Sequence, residues 1–268
     1  MNIELKKNFE LHLQSLRRPY IFAEYLDLSN NTENIWSKIN YTLSNLHNES
    51  YNIYTQLCPA ILLIIIWPFL PPVNLSLQLY YISIIIQLFL SSYYHIARCC
   101  FCYDKNDLEH CLHIDLFGIW LINTFSIPPS LNILFQNIIC KIFYFTFFIF
   151  YSVIIYYILF VCKNYQSFEI KLIIIVNWIG CMCLATIHSI FLFDIDEFML
   201  FSYGPLLHST LFLCGLIFYT FHIPECFAPG LFDIYFNSHQ LFHICVTFAA
   251  IHWFWYLQQV YDYKHTIS

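Results

Sequence analysis

Between Asn52 and Leu257 the sequence runs through seven apolar stretches: Asn52–Pro71, Leu77–Ile96, His113–Leu134, Ile138–Cys162, Ile170–Phe193, Phe198–Phe221 and Ser238–Leu257. A helix that crosses a bilayer needs about 20 predominantly apolar residues, and each stretch has roughly that length. Charged residues make up only 10% of the chain, against about 25% in a soluble domain, so most side chains cannot face water. The expected fold is an all-α integral membrane protein with seven transmembrane helices over residues 51–268. An N-terminal arm over 1–50 precedes it. The polar piece Asn40–Asn48 reads either as an interfacial helix or as an extension of the first span. The break between the third and fourth spans is expected near Pro128, Pro129 and Asn137.

Lysine and arginine in short loops mark the cytoplasmic side. With the N-terminus inside, Lys6, Lys7, Arg17, Arg18, Lys38, Arg98, Lys105, Lys163 and Lys171 are cytoplasmic, while only Lys141 and Lys264 lie outside. Seven spans then put the C-terminus outside. No 7–15-residue apolar core precedes a cleavage site near the start, so a cleaved leader is not expected. The chain has five glycines, no phosphate-binding loop and no basic cluster, which argues against nucleic acid as a partner. There is no internal repeat.

The orientation also bears on the twelve cysteines. Cys99, Cys100, Cys102, Cys111 and Cys226 fall on the reducing side, and only Cys140 lies near the outer face, so disulfides are not expected. Asn74-Leu75-Ser76 is a glycosylation sequon in an outer loop, though close to the membrane. Sequons also occur at Asn30, Asn40 and Asn48, and modification of any of them would reverse the orientation.

Ionisable residues within spans are costly and point to function. His95 ends the second span, Asp115 begins the third, and His239 and His243 occupy the first two turns of the seventh, all at the cytoplasmic side. His239 and His243 are one turn apart on one helical face. With His95 they make three imidazoles, the donor set of a catalytic-type zinc site with an open fourth position. Asp115 would offset the charge and orient water, and Ser91, one turn before His95, could donate to that water or to a substrate carbonyl. Taken singly, each histidine is as well explained as a helix-end residue bonded to backbone or headgroup. His110 and His113 rival His95 as third ligand. The CCFC run after His95 could also take a metal or acyl chains. His188, His208 and His252 read as polar contacts between helices.

Four stretches carry a resemblance to the progestin and adipoQ receptor family, the relatives of the adiponectin receptors and hemolysin III. They are NNTENIWSKIN (30–40), SSYYH (91–95), IDLFGIWLINT (114–124) and PECFAPGLFDIYFNSHQLFH (224–243). Lys38 stands where the family has His, and the first span is displaced towards the C-terminus relative to the NIW signature. The resemblance implies seven helices with a cytosolic N-terminus, zinc at His95, His239 and His243, and Asp115 beside the zinc-bound water. It implies a receptor for a hormone or protein ligand, or a ceramidase cleaving the amide of a ceramide-like lipid.

Two readings follow, both in the plasma membrane or the Golgi/ER. One is a zinc-dependent lipid amide hydrolase, with Asp115 and Ser91 as the catalytic residues and membrane lipids as its surroundings. The other is a non-catalytic receptor or scaffold with a structural zinc. A transporter is disfavoured, because no broken-helix pairs occur in matching halves.

Overall fold

The computed structural model describes residues 18–23, 25–28, 31–71, 73–102, 105–162, 184–189, 191–192 and 202–267. Its regular elements are α1 (Ile35–Ser44), α2 (Ser50–Ile66), α3 (Leu75–Cys100), α4 (Lys105–Leu134), α5 (Ile138–Tyr156), α6 (Tyr203–Phe221) and α7 (Ser238–Ile267). A 3-10 turn, Trp67–Phe69, extends α2 and a π turn, Tyr157–Val161, extends α5. Among the described residues six helices are long and apolar enough to cross a membrane: Ser50–Phe69, Leu75–Cys100, Asn106–Leu134, Ile138–Val161, Tyr203–Phe221 and Ser238–Lys264. They coincide with six of the seven expected spans. The other, Ile170–Phe193, lies outside the described residues except for 184–189, which are helical, and 191–192.

Two local features left open by the sequence have physical causes. Asn34 caps α1 by accepting from Ser37 N–H at 2.9 Å, and the chain breaks at Asn45 before α2, so Asn40–Asn48 belongs partly to a short separate helix. Pro128 and Pro129 sit inside α4 rather than ending it. Proline removes an intrahelical donor, but in an apolar medium neighbouring hydroxyls and helices can stand in. The break falls instead at 135–137, where Asn137 caps α5 through Ile139 N–H at 2.8 Å.

The chain forms two compact units. The first comprises Met1–Pro68, Leu88–Asp115 and Thr210–Ala249, the second Phe69–Gln87, Leu116–Ser209 and Ala250–Ser268. Helices α3, α4, α6 and α7 each contribute one part of their length to both. In the second unit Tyr81 packs on Phe254 with ring centroids 4.8 Å apart, Tyr80 donates to the Ala250 carbonyl at 3.3 Å, and Trp120 donates to the Ser152 carbonyl at 3.0 Å. In the first, Leu26 and Leu28 bury against Cys99 and Cys100, and Tyr94 and Ala97 against Cys102 and Cys111. Apolar side chains such as Ile61, Leu62, Ile64 and Ile65 on α2 and Ile138, Ile139, Ile142 and Phe143 on α5 face outward. So large an apolar surface is a liability in water and a requirement in lipid.

Candidate metal centre

The stretch NSHQLFH, where α7 begins, builds its own helix start. Asn237 Oδ1 accepts from Gln240 N–H at 3.1 Å, the usual N-cap arrangement. Buried Glu225 takes the Ser238 N–H at 2.7 Å and also the Ser238 hydroxyl. Gln240 Nε2 donates to the Ile234 carbonyl at 2.7 Å. These polar neighbours are spent on the cap, and His239 and His243 are left one turn apart with ring centroids separated by 4.4 Å.

His95, from α3, meets both rings edge-on, with centroids 5.2 Å from His239 and 5.0 Å from His243. One ring nitrogen from each of the three lies within 4.8 Å of the others. His95 and His243 are buried, and His95 Nε2 and both nitrogens of His239 have no hydrogen-bond partner. Leaving such a group unmade costs about 1–3 kcal/mol.

A further set of side chains fixes the rings. Glu49, just before α2, accepts or shares the His95 Nδ1 proton through Oε2 at 2.8 Å, so the unpartnered Nε2 is the nitrogen that faces the other imidazoles. Glu49 is 2% exposed, and Arg18 Nη2 and Arg98 Nε reach its two oxygens at 3.3 and 3.4 Å. Asn52 Nδ2 donates to Oε2 at 2.8 Å. Burial alone would raise the Glu49 carboxyl, but Arg18 and Arg98, with the His95 hydrogen bond, hold it well below the usual carboxylate range. On the α7 side, Thr55 Oγ1 pairs with His243 Nδ1 at 3.2 Å. One position on, Gln56 Nε2 donates to Thr247 Oγ1 at 3.2 Å and to the Thr55 carbonyl at 3.3 Å. That carbonyl would ordinarily receive the N–H of residue 59, which is proline, so the Gln56 amide replaces a missing helix bond.

Of the residues expected from sequence, the structure brings His95, His239 and His243 together; His110 and His113 are not in that group. Ser91 is buried, and Asp115 Oδ1 is buried with no hydrogen-bond partner. Asp115 lies outside the three-histidine group, against which Tyr219 packs with its ring 5.5 Å from His239. The CCFC thiols are likewise outside the group. His188, His208 and His252 belong to the second unit, where they contact Tyr144, Trp253 and Tyr256 respectively.

Three converging imidazoles, two of them with ring nitrogens that have no partner, fit a divalent cation of the zinc type, for which His₃ is a known donor set. A carboxylate on the far nitrogen of a ligating histidine is the usual outer support. Sequence reasoning missed Glu49, Thr55, Arg18 and Arg98. A signal was present: the pattern Asn-Ile-aromatic-hydroxyl occurs twice, at Asn34–Ser37 and Asn52–Thr55, and the second copy supplies Asn52 and Thr55 to the centre.

The profile of the family described as "Haemolysin-III related" matches residues 44–254. NNTENIWSKIN (30–40) lies before that match, and Glu49 and the second copy lie inside it. "Progestin and adipoQ receptor-like protein 1" of Caenorhabditis briggsae is 50% identical over 50 residues, 18% of this chain and 12% of the relative. "Membrane progestin receptor gamma" of Mus musculus is 49% identical over 43 residues, 16% and 13% of the two chains. The "Adiponectin receptor protein" of Drosophila melanogaster is 44% identical over 45 residues, 17% and 10%. The aligned stretches thus cover a small part of these relatives' length, whereas the family profile covers most of this chain. The chain belongs to the haemolysin-III-related family.

Proposed function

We propose that this chain is a seven-span, receptor-like membrane protein, N-terminus cytoplasmic and C-terminus outside, that holds zinc at His95, His239 and His243 and hydrolyses the amide of a ceramide-like lipid. The observation that carries the reading is the convergence of three imidazoles, with His95 Nε2 and both His239 nitrogens unpartnered. Zinc, when bound, is a Lewis acid that makes hydroxide available from water at neutral pH.

The chain's own residues do the rest. Glu49 holds His95 in the tautomer that presents Nε2, and Thr55 fixes His243 through Nδ1. Asp115 Oδ1, buried and unpartnered, is left to accept a proton, and we assign Ser91 the orienting of that carboxylate. In amide hydrolysis the water oxygen bonds to the acyl carbon as the C–N bond breaks. Asp115 Oδ1 takes the water's proton and returns it to the departing amine, giving a fatty acid and a sphingoid base. The apolar outward faces of the helices suit a substrate that arrives from the bilayer.

Hydrolysis of a labelled ceramide by purified protein tests this. His243→Ala and Asp115→Ala are expected to abolish turnover, and equal turnover in all three proteins rejects the enzymatic reading. The relatives' receptor names favour a second reading, a receptor for a hormone or protein ligand with structural zinc. Under it chelation lowers the melting temperature while no product forms.

A further inference from the structure

The segment 18–28 is laid across the same unit that holds the three histidines. Leu28 N–H donates to the Cys99 carbonyl, at the end of α3, at 2.7 Å. Phe22 and Ala23 N–H groups donate to the Asp233 carboxylate, the former at 3.2 and 3.3 Å to its two oxygens and the latter at 2.7 Å. Gly230 N–H donates to the Tyr20 carbonyl at 3.1 Å. Gly230 has φ +83°, and a Cβ there would stand 3.3 Å from the Phe22 ring, so this approach favours glycine twice over. Asp233 and Gly230 lie in the connection that leads into α7. The segment therefore joins the end of the helix carrying His95 to the loop leading to His239 and His243.

Arg18, at the start of the segment, points into the centre. Its N–H donates to Tyr25 Oη at 3.2 Å, and Tyr25 Oη donates to the Ile21 carbonyl at 3.1 Å, which curls the segment back on itself. The Arg18 guanidinium then reaches Glu49 Oε2 at 3.3 Å, the same oxygen that meets His95 Nδ1 at 2.8 Å. Arg98 takes the other oxygen, but it belongs to α3 itself, one turn from His95. Among the described residues, Arg18 is the cation brought to Glu49 by the segment ahead of α1.

We propose that Arg18 is a positioning residue of the metal centre, and that segment 18–28 is a clasp whose docking and the centre's metal affinity are linked. The proposal rests on the reading of His95, His239 and His243 as metal ligands. Arg18 acts through Glu49: undocking removes the cation from the oxygen that orients His95. Linkage is reciprocal, so loss of metal loosens the clasp by the factor that loss of the clasp weakens metal.

The test uses the full chain in lipid nanodiscs, with zinc affinity read by competition against a chromophoric chelator, and cobalt(II) substituted for zinc as a spectroscopic probe. Arg18→Gln and Asp233→Asn are expected to weaken zinc about 10–100-fold, the range for removal of an outer support. They also alter the cobalt absorption and shrink the zinc-induced rise in melting temperature, and Arg18→Lys restores part of the affinity. Stripping zinc from the wild type accelerates hydrogen exchange at the Phe22 and Ala23 amides. If Arg18→Gln does not fold, Asp233→Asn decides, since it loosens the clasp outside the centre. Wild type that binds zinc, with variants that bind it within twofold and give the same cobalt spectrum, overturns the clasp and leaves the metal reading standing. Variants that merely melt earlier without zinc, at unchanged zinc affinity, overturn the clasp as well. Wild type that binds neither metal overturns both.

Discussion

Glu49 and His95 meet at 2.8 Å between Oε2 and Nδ1, both almost wholly buried and 46 residues apart in sequence. The pairing leaves His95 one nitrogen for the cluster and gives the buried carboxylate a reason to be there. A carboxylate in so apolar a place is tolerated only when it is paired and hydrogen-bonded, and Arg18, Arg98, Asn52 and Asn48 complete its shell.

Glu49→Gln is therefore expected to weaken zinc retention by about 10–100-fold. It also lowers stability, because removing one partner of a buried ion pair costs about 3–5 kcal/mol. Chelator competition and thermal melting measure the two effects, and unaltered zinc affinity would show that Glu49 does not orient His95.

His47 supplies a pH dependence. Its Nε2 pairs with the Thr42 carbonyl at 3.0 Å, and its Nδ1 accepts from Glu49 N–H at 3.2 Å, which satisfies the neutral ring and leaves no place for a second proton. Burial lowers its pKa despite the opposing Thr42 carbonyl and Glu49. The unfolded chain then binds the proton more readily, so the stability held at neutral pH is lost as pH falls below about 6.5, the unperturbed value. Melting temperature measured from pH 7.5 to 5 should fall less steeply in His47→Gln than in wild type; parallel curves would contradict the assignment.

Glu225 holds the start of α7 through two bonds to Ser238. Hydrogen bonds to a charged group contribute about 1.5–3 kcal/mol each. Glu225→Ala should lower the melting temperature and reduce zinc affinity by loosening His239, while Glu225→Gln, which keeps an acceptor, should do less. Thermal melts with and without zinc separate the two consequences.

Gly204, at the start of α6, lies against the Tyr256 ring, and a Cβ there would overlap it. Overpacking of this kind costs about 1–3 kcal/mol. Gly204→Ala should destabilise the second unit and leave zinc binding by the purified protein unchanged; a loss of zinc affinity at full folding would be the unexpected result.

How much of this was legible depended on the range of the signal. Apolar runs are local, and they located six helices, though α4 begins at Lys105 before the expected His113 and α7 runs past Leu257 to Ile267. The pairing of His239 with His243 is also local, since helical period alone puts them on one face. His95 required a guess about depth, and the basic loops supplied it. Glu49 could not be found that way: its charge looked like that of any polar residue before a span, and its partners Arg18 and Arg98 lie far from it in sequence. The repeated Asn-Ile-aromatic-hydroxyl pattern hid the answer in plain view. Asn34–Ser37 has the tryptophan and caps a short helix, whereas Asn52–Thr55 carries the residues that reach Glu49 and His243. The third span was expected to run through Pro128 and Pro129 to Leu134, and it does, because the rule that proline ends helices is relaxed where hydroxyls and neighbouring helices replace the solvent.

The bonds Thr55–His243 and Gln56–Thr247 stitch α2 to α7 at two successive levels. Sliding either helix by one turn, about 5.4 Å, would strand four polar side chains where no water waits to take them. The register of α2 against the first turns of α7, and with it the place of His243, is thus set by side-chain bonds rather than by apolar contact alone.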